Sequence, residues 1–179
     1  MRRILRGALV LLVAGGFVLV GWELFQFGRK VPPLAPAGER ATTIVVEKAA
    51  RRLTLLRNGQ TLATYAVALG SAPTGPKQQE GDGRTPEGAY AIDFKNARSR
   101  FHLALRISYP GAADRASAAR RGVPAGGDVM IHGLPNGLGW LAGLHLRRDW
   151  TDGCIAVSNG QIEEIWRLVD VGTPVEIRP

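Results

Sequence analysis

Few residues in this chain can do covalent chemistry, and the first is a lone thiol. Cys154 is the only cysteine among 179 residues and stands in "RRDWTDGCIAVSN", residues 147–159, between Gly153 and a small apolar run. A thiol nucleophile needs a base to take its proton, a group that orients the base, and donors for the oxyanion of a tetrahedral intermediate. Of the three histidines, His102, His132 and His145, only His132 ends a strand-like run and precedes glycine, in "MIHGLPNG". Gly133 lets backbone approach closely and leaves a carbonyl open to accept the ring proton. Gly153 allows a tight turn that aims backbone N–H groups at an oxyanion. The set suits acyl transfer through a thioester. Asp152 is the odd member, because a carboxylate two residues ahead of the sulfur works against a thiolate.

Each of these residues also has a structural reading. A lone cysteine is often a small buried hydrophobe, and a histidine after a strand is often a satisfied core residue. The Thr-Asp-Gly-Cys context favours chemistry for Cys154 and His132. His145 reads as a surface helix position rather than a substitute base, and His102, inside an apolar strand run, as structural. Asp149 and Asp152 read as turn-formers or partners of Arg147 and Arg148. Trp140, Trp150 and Trp166 are expected in the core or as groove walls. His132, His145, the two aspartates and Cys154 lack any local ligand spacing of the His-Glu-x-x-His or Cys-x-x-Cys kind. No metal and no cofactor is therefore expected.

The elements that position these residues follow from composition and pattern. The length suits one domain with appendages, and 45% hydrophobic with 21% charged residues is globular. Net charge is +8, but residues 41–179 carry 17 − 13 = +4, with the arginines scattered and not interleaved with aromatics. A nucleic-acid partner is excluded on that ground. In "MRRILRGALVLLVAGGFVLVGW", Arg2, Arg3 and Arg6 precede an uncharged stretch from Gly7 to Trp22, with Leu24, Phe25 and Phe27 extending its apolar character. Residues 1–6 are read as a cytoplasmic basic tail and 7–27 as a single-pass signal-anchor in the inner membrane. Secretion after cleavage is the alternative. The working domain then faces the periplasm, where an unpaired thiol is buried, engaged with another chain, or kept for chemistry.

Residues 28–41, "GRKVPPLAPAGERA", read as a Pro/Gly-rich linker, and the domain occupies residues 42–179. "TTIVVEK" is strand-like, and Asn58-Gly59 between apolar runs predicts a hairpin. Ser71 to Gly88 reads as a functional or surface loop. "AYAIDF", "HLALRISY", "DVMIHG" and "TPVEIRP" predict strands, and "GAADRASAARRG" a short helix ended by Gly122. "SNGQIEEIWRLVDVG" predicts a helix opened by a Ser158/Gln161 capping box and ended by Gly172. The count favours a mostly-β domain with one or two appended helices over a parallel α/β sheet.

"GDGRTPEGAYAI", "MIHGLPNG" and "TDGCIAVSN" together resemble the L,D-transpeptidase catalytic domain, often called the YkuD-type domain, over roughly residues 42 to 178. The resemblance implies a β-sandwich or barrel-like L,D-transpeptidase fold, Cys154 as nucleophile and His132 as proton acceptor and donor, with Gly133 beside that histidine. It implies peptidoglycan stem peptides as partners: a tetrapeptide donor cut between the diamino acid at position three and the D-alanine at position four. The chain departs from the family's Ser-His-Gly-Cys pattern, since Thr151 and Asp152 stand for the serine and histidine. It is similar to a branch carrying Thr-Asp-Gly-Cys. The expected activity is cysteine L,D-transpeptidation in cell wall biogenesis and remodelling. The alternatives are a peptidoglycan hydrolase, either an L,D-carboxypeptidase or an amidase using water, and a catalytically decayed wall-binding module.

Overall fold

In a computed structural model of the chain, residues 31–179 are described. The run after Ala41 alternates as its composition requires. β1 (Thr43–Glu47) pairs antiparallel with β2 (Arg52–Arg57), placing Ile44 opposite Leu55 and Val46 opposite Leu53, all fully buried. β2 turns into β3 (Gln60–Ala66) through Asn58 and Gly59, both at positive φ (50° and 80°). That is the two-residue turn whose twist matches the strands it joins.

The remaining strands build outward from β1. β4 (Gly88–Ser99) pairs antiparallel with β5 (His102–Ile107), β5 with β6 (Met130–His132), and β6 runs parallel to the short β7 (Ile155–Ala156). β8 (Pro174–Arg178) inserts between β1 and β4, parallel to the first and antiparallel to the second. The order is β3-β2-β1-β8-β4-β5-β6-β7. β4 serves both limbs of this sheet, because register shifts beyond Ile92 bend it away from β8 and along β5. The chain beyond β3 then reaches the far end: Ala68 exchanges hydrogen bonds with Ala156 at 3.0 and 2.8 Å, and Gly70 bridges to Thr151. The curled sheet encloses a core of Leu53, Leu55, Ile92, Leu103, Leu105, Ile131 and Ile155.

Two α-helices are present among the described residues. α1 (Ala112–Arg121) ends on Gly122 in the left-handed conformation, as its sequence predicts. α2 (Asn159–Leu168) starts on the Ser158/Gln161 capping box and buries Ile162, Ile165 and Trp166 against β5 and β6. It stops four residues before Gly172, which instead turns the chain into β8 at φ 91°. The reason is a side chain from β4: Lys95 Nζ donates to the Trp166 and Val169 carbonyls at 2.6 and 2.7 Å, satisfying the helix end.

Residues 32–41 also lie on the domain. The Ala35 and Ala41 N–H groups donate to the Arg167 and Leu168 carbonyls, Ala35 is buried, and Arg40 pairs with Asp170 at 2.7 Å. The expected signal-anchor, 7–27, and the basic tail, 1–6, lie outside the described residues. Among those that are described, no helix is long and apolar enough to cross a membrane.

Candidate active site

β6 and β7 bring thiol and imidazole together by register. Ile131 pairs with Ile155 and His132 with Ala156, so Cys154 falls level with Met130, two positions from His132 along a parallel ladder. Side chains two apart share a face. Both open into one cavity of about 450 Å³, walled by Phe101, Met130, Trp150 and Thr151 and bordered by the charged Arg98, Arg100, Asp128 and Asp152.

His132 is buried and clamped. Its Nδ1 lies 2.6 Å from the Gly133 carbonyl. A carbonyl only accepts, so Nδ1 carries the proton and Nε2 keeps its lone pair. The ring sits 4.6 Å from Phe101 and 5.8 Å from Trp150, centroid to centroid. Burial pushes its pKa down to about 4, against the Gly133 bond, which acts the other way. Gly133 has no room for a side chain: a Cβ would stand 2.8 Å from Asn159 Oδ1 and 3.0 Å from Ile162 Cγ2. Asn159, the first residue of α2, also accepts from the Leu134 N–H at 2.8 Å. The helix start thereby fixes the segment that leaves His132.

Cys154 is half-buried, and its thiol contacts the Asp128 carbonyl at 3.6 Å. Burial raises its pKa, a backbone bond from Met130 opposes this, and the Asp152 charge raises it again. Thiol and imidazole therefore rest as a neutral pair. The turn ahead of the sulfur depends on Gly153, held at φ 127°, where a Cβ would stand 2.5 Å from the Arg84 carbonyl. Its N–H donates to Thr151 Oγ1 at 3.2 Å, and that hydroxyl donates to the Cys154 carbonyl at 2.8 Å. The Gly153 N–H is thus committed inside the turn and is not free for the oxyanion role expected of it.

The segment 69–88 supports this turn from beneath, a role that no local motif announces. Trp150 and Thr151 both donate to the Leu69 carbonyl, and the Ser71 N–H returns a bond to Thr151. Gly70 packs so closely that a Cβ would lie 2.1 Å from the Gly83 carbonyl and 3.1 Å from Gly153 Cα. Lys77, itself buried, pairs with Asp82 at 2.8 Å, and a Cβ on Gly153 would lie 3.5 Å from its Nζ.

Other candidates fall differently. Asp149 pairs with Arg51, at 2.8 Å, and accepts from the Leu69 N–H, rather than meeting Arg147 or Arg148. Asp152 enters no ion pair among the described residues and borders the cavity. His102 sits at the start of β5 and meets Glu163 of α2 at 2.6 Å, away from the thiol. His145 lies in a 3₁₀ turn, Leu144–Arg147, close enough for its charge to disfavour that of His132. It lines a neighbouring apolar hollow of about 350 Å³ that shares Trp150 as a wall. Trp166 is core and Trp150 a groove wall, but Trp140 is 75% exposed.

Known proteins match this arrangement. The family model described as the L,D-transpeptidase catalytic domain, YkuD, matches residues 41–177. YafK of Escherichia coli K12 is 32% identical over 112 residues, which are 62% of this chain and 38% of YafK. The chain thus spans well under half of that relative's length. Among solved structures, the helical cell shape determining protein Pgp2 of Campylobacter jejuni superposes with a TM-score of 0.60 at 24% identity, covering 88% of this chain and 54% of Pgp2. An L,D-transpeptidase from Mycobacterium smegmatis gives 0.51 at 18% identity over 78% of this chain and 59% of its own. At those identities the structures establish the fold.

Proposed function

Because the chain belongs to the L,D-transpeptidase catalytic domain family, we propose that it is a cysteine L,D-transpeptidase acting on tetrapeptide stems of peptidoglycan, with Cys154 as nucleophile and His132 as acid and base. The observation that carries the reading is a thiol and a neutral imidazole, two register positions apart on adjacent parallel strands, opening into one cavity.

The geometry suggests how each step runs. Turning Cys154 away from the Asp128 carbonyl points its proton at Nε2 of His132, whose tautomer the Gly133 carbonyl fixes. Sγ then bonds to the carbonyl carbon of the diamino acid at position three, and the Cys154 N–H faces the oxyanion. Collapse breaks the peptide C–N bond while the His132 imidazolium returns its proton to the departing D-alanine amine. The thioester left on Cys154 passes its acyl group to an amine of another stem, or to water, with His132 removing the acceptor's proton. The low pKa of His132 leaves the imidazole neutral with its Nε2 lone pair free in the resting state, and its cationic form gives up its proton readily.

We place the catalytic domain in the periplasm, held to the inner membrane by residues 7–27, where stem peptides lie. Mass spectrometry of products from purified protein and disaccharide-tetrapeptide tests the whole reading. Dimers mean transfer, and loss of alanine without dimers means hydrolysis. Intact substrate with no thioester on Cys154 rejects catalysis. Cys154→Ala abolishes turnover if the reading is right and changes nothing if the domain only binds the wall. The acidic limb of kcat/KM against pH is expected near 4, below the ordinary histidine value, and a rate with no acidic limb would reject His132 as the base.

A further inference from the structure

Several surface charges on the sheet are matched. Arg52 pairs with Glu47, Arg178 with Glu176 and Arg106 with Asp93, each within 2.8 Å. A second hollow of about 400 Å³, on the outer face of the sheet, is lined by Glu47, Arg52 and Arg178 from these pairs. The cavity at the thiol differs from that hollow in holding unpaired charges of both signs. Arg98, Arg100 and Asp152 border it without an ion pair among the described residues, and Asp128 reaches only Arg106, at 3.8 Å. Lys77, the remaining cation nearby, is paired with Asp82.

The unmatched charges are also segregated. Arg98 comes from the end of β4 and Arg100 from the turn joining it to β5, and Asp152 from the turn leading into β7. In the strand order β4-β5-β6-β7, His132 on β6 lies between them. Opposite charges held apart across one cavity complement a ligand that carries both signs. The polarity of the ligand follows from the chemistry. The acyl part of the donor bonds to Cys154, beside Asp152, and the leaving amine takes its proton from His132, so the leaving residue points toward the arginines.

We propose that this cavity selects its donor by charge at both ends, Asp152 holding the side-chain ammonium of the diamino acid and Arg98 with Arg100 holding the terminal carboxylate of the residue that leaves. The inference rests on the stem-peptide reading and adds the residues that recognise the stem. It also gives Asp152 a use. A carboxylate beside a thiol disfavours the thiolate, and an ammonium docked on it removes that penalty. The nucleophile is then best primed when the correct donor is bound.

The test is equilibrium binding to full-length protein carrying Cys154→Ala, which binds without turnover. Three tetrapeptides serve as probes: the unmodified stem, a stem acetylated on the side-chain amine, and a stem amidated at its C-terminus. Each modification is expected to weaken binding about tenfold. Adding Asp152→Asn should erase only the first difference, and adding Arg98→Gln with Arg100→Gln only the second. Equal binding of all three stems, equal weakening of all three by Asp152→Asn, or no binding overturns the inference. Thioester formation on wild-type Cys154, followed separately, judges the catalytic reading. Discrimination without a thioester would reject catalysis alone, and a thioester without discrimination would reject charge selection alone.

Discussion

Loop 71–88 packs under the Cys154 turn and loop 134–148 lines the neighbouring hollow, yet the first is tied into the protein by buried charge while the second is held mainly at its start. In the first, buried Lys48 donates to the Gly75 and Thr85 carbonyls and to Glu87 at 2.6, 2.9 and 2.8 Å. Thr85 Oγ1 accepts from the Gly70 N–H, and Lys77 binds Asp82, which also collects the N–H groups of Gln78, Gln79 and Arg84. Residues 134–148 instead make short-range backbone bonds such as Leu138 to Pro135 and Leu141 to Leu138, with Leu134 and Asn136 tied back at the start. Leu138, Trp140, Leu144 and Leu146 are exposed there. A nucleophile turn with a forced backbone needs a rigid floor, whereas a groove wall needs only to present surface. The contrast assigns support of the Cys154 turn to the first loop and the wall of the neighbouring hollow to the second.

Removing the buried cation should break the floor most severely. Lys77→Met leaves the half-buried Asp82 carboxylate with only its backbone donors, which costs about 1–3 kcal/mol. Urea unfolding should register the loss, and adding Asp82→Asn should recover part of it. The pair also has a pH signature. Burial alone would raise Asp82, but Lys77 and three backbone N–H groups hold it down to about 2. A carboxyl depressed in the folded state stabilises above its ordinary value and loses that contribution as pH falls through the folded one. Stability should therefore drop between about pH 4 and 2 in the parent, and the drop should be shallower in Lys77→Met/Asp82→Asn.

Gly153→Ala comes next. The new Cβ meets the Arg84 carbonyl at 2.5 Å with φ at 127°, so the turn must move. Strain of that kind costs about 1–3 kcal/mol in stability, and turnover should fall further than stability because the sulfur moves with the backbone. Equal wild-type rates in a variant of lowered melting temperature would show that the turn's geometry is not what the reaction needs.

These sites also mark where sequence reading stops. The Asn58-Gly59 hairpin, the Ser158/Gln161 cap and the Gly122 helix end were legible because each is a local interaction within four residues. His132, Gly133, Gly153 and Cys154 were legible as candidates because their types and neighbours carry the chemistry. The packing of Gly70 on Gly83, of Arg84 on Gly153 and of Asn159 on Leu134 was not, since each joins segments far apart in the chain. The same holds for α2, whose end is set by Lys95 from β4 rather than by its own glycine. Trp140, expected in the core or as a groove wall, is 75% exposed on the loop that lines the neighbouring hollow, so it is no core residue.

A smaller effect tests the join between the two loops. Asn159→Ala removes the acceptor for the Leu134 N–H and should lower stability by about 1 kcal/mol. Its effect should appear as a raised KM with little change in kcat, since the groove wall shifts while the thiol's floor stays. A fall in kcat as large as that of Gly153→Ala would mean that α2 positions His132 as firmly as the floor positions Cys154.

The smallest expected change lies at the exposed end of the second loop. Trp140→Ser removes a side chain that is 75% solvent-exposed, so unfolding free energy should stay within about 0.5 kcal/mol of the parent. If the loop contacts substrate, that same variant should bind disaccharide-tetrapeptide more weakly than it binds the free peptide stem, relative to the parent, because a broad aromatic face suits stacking on the sugar rings. Thermal unfolding and paired binding measurements on one preparation separate the outcomes. A stability loss approaching that of Lys77→Met would mean that the second loop is as integral to the fold as the first, and the division of labour between them would fail.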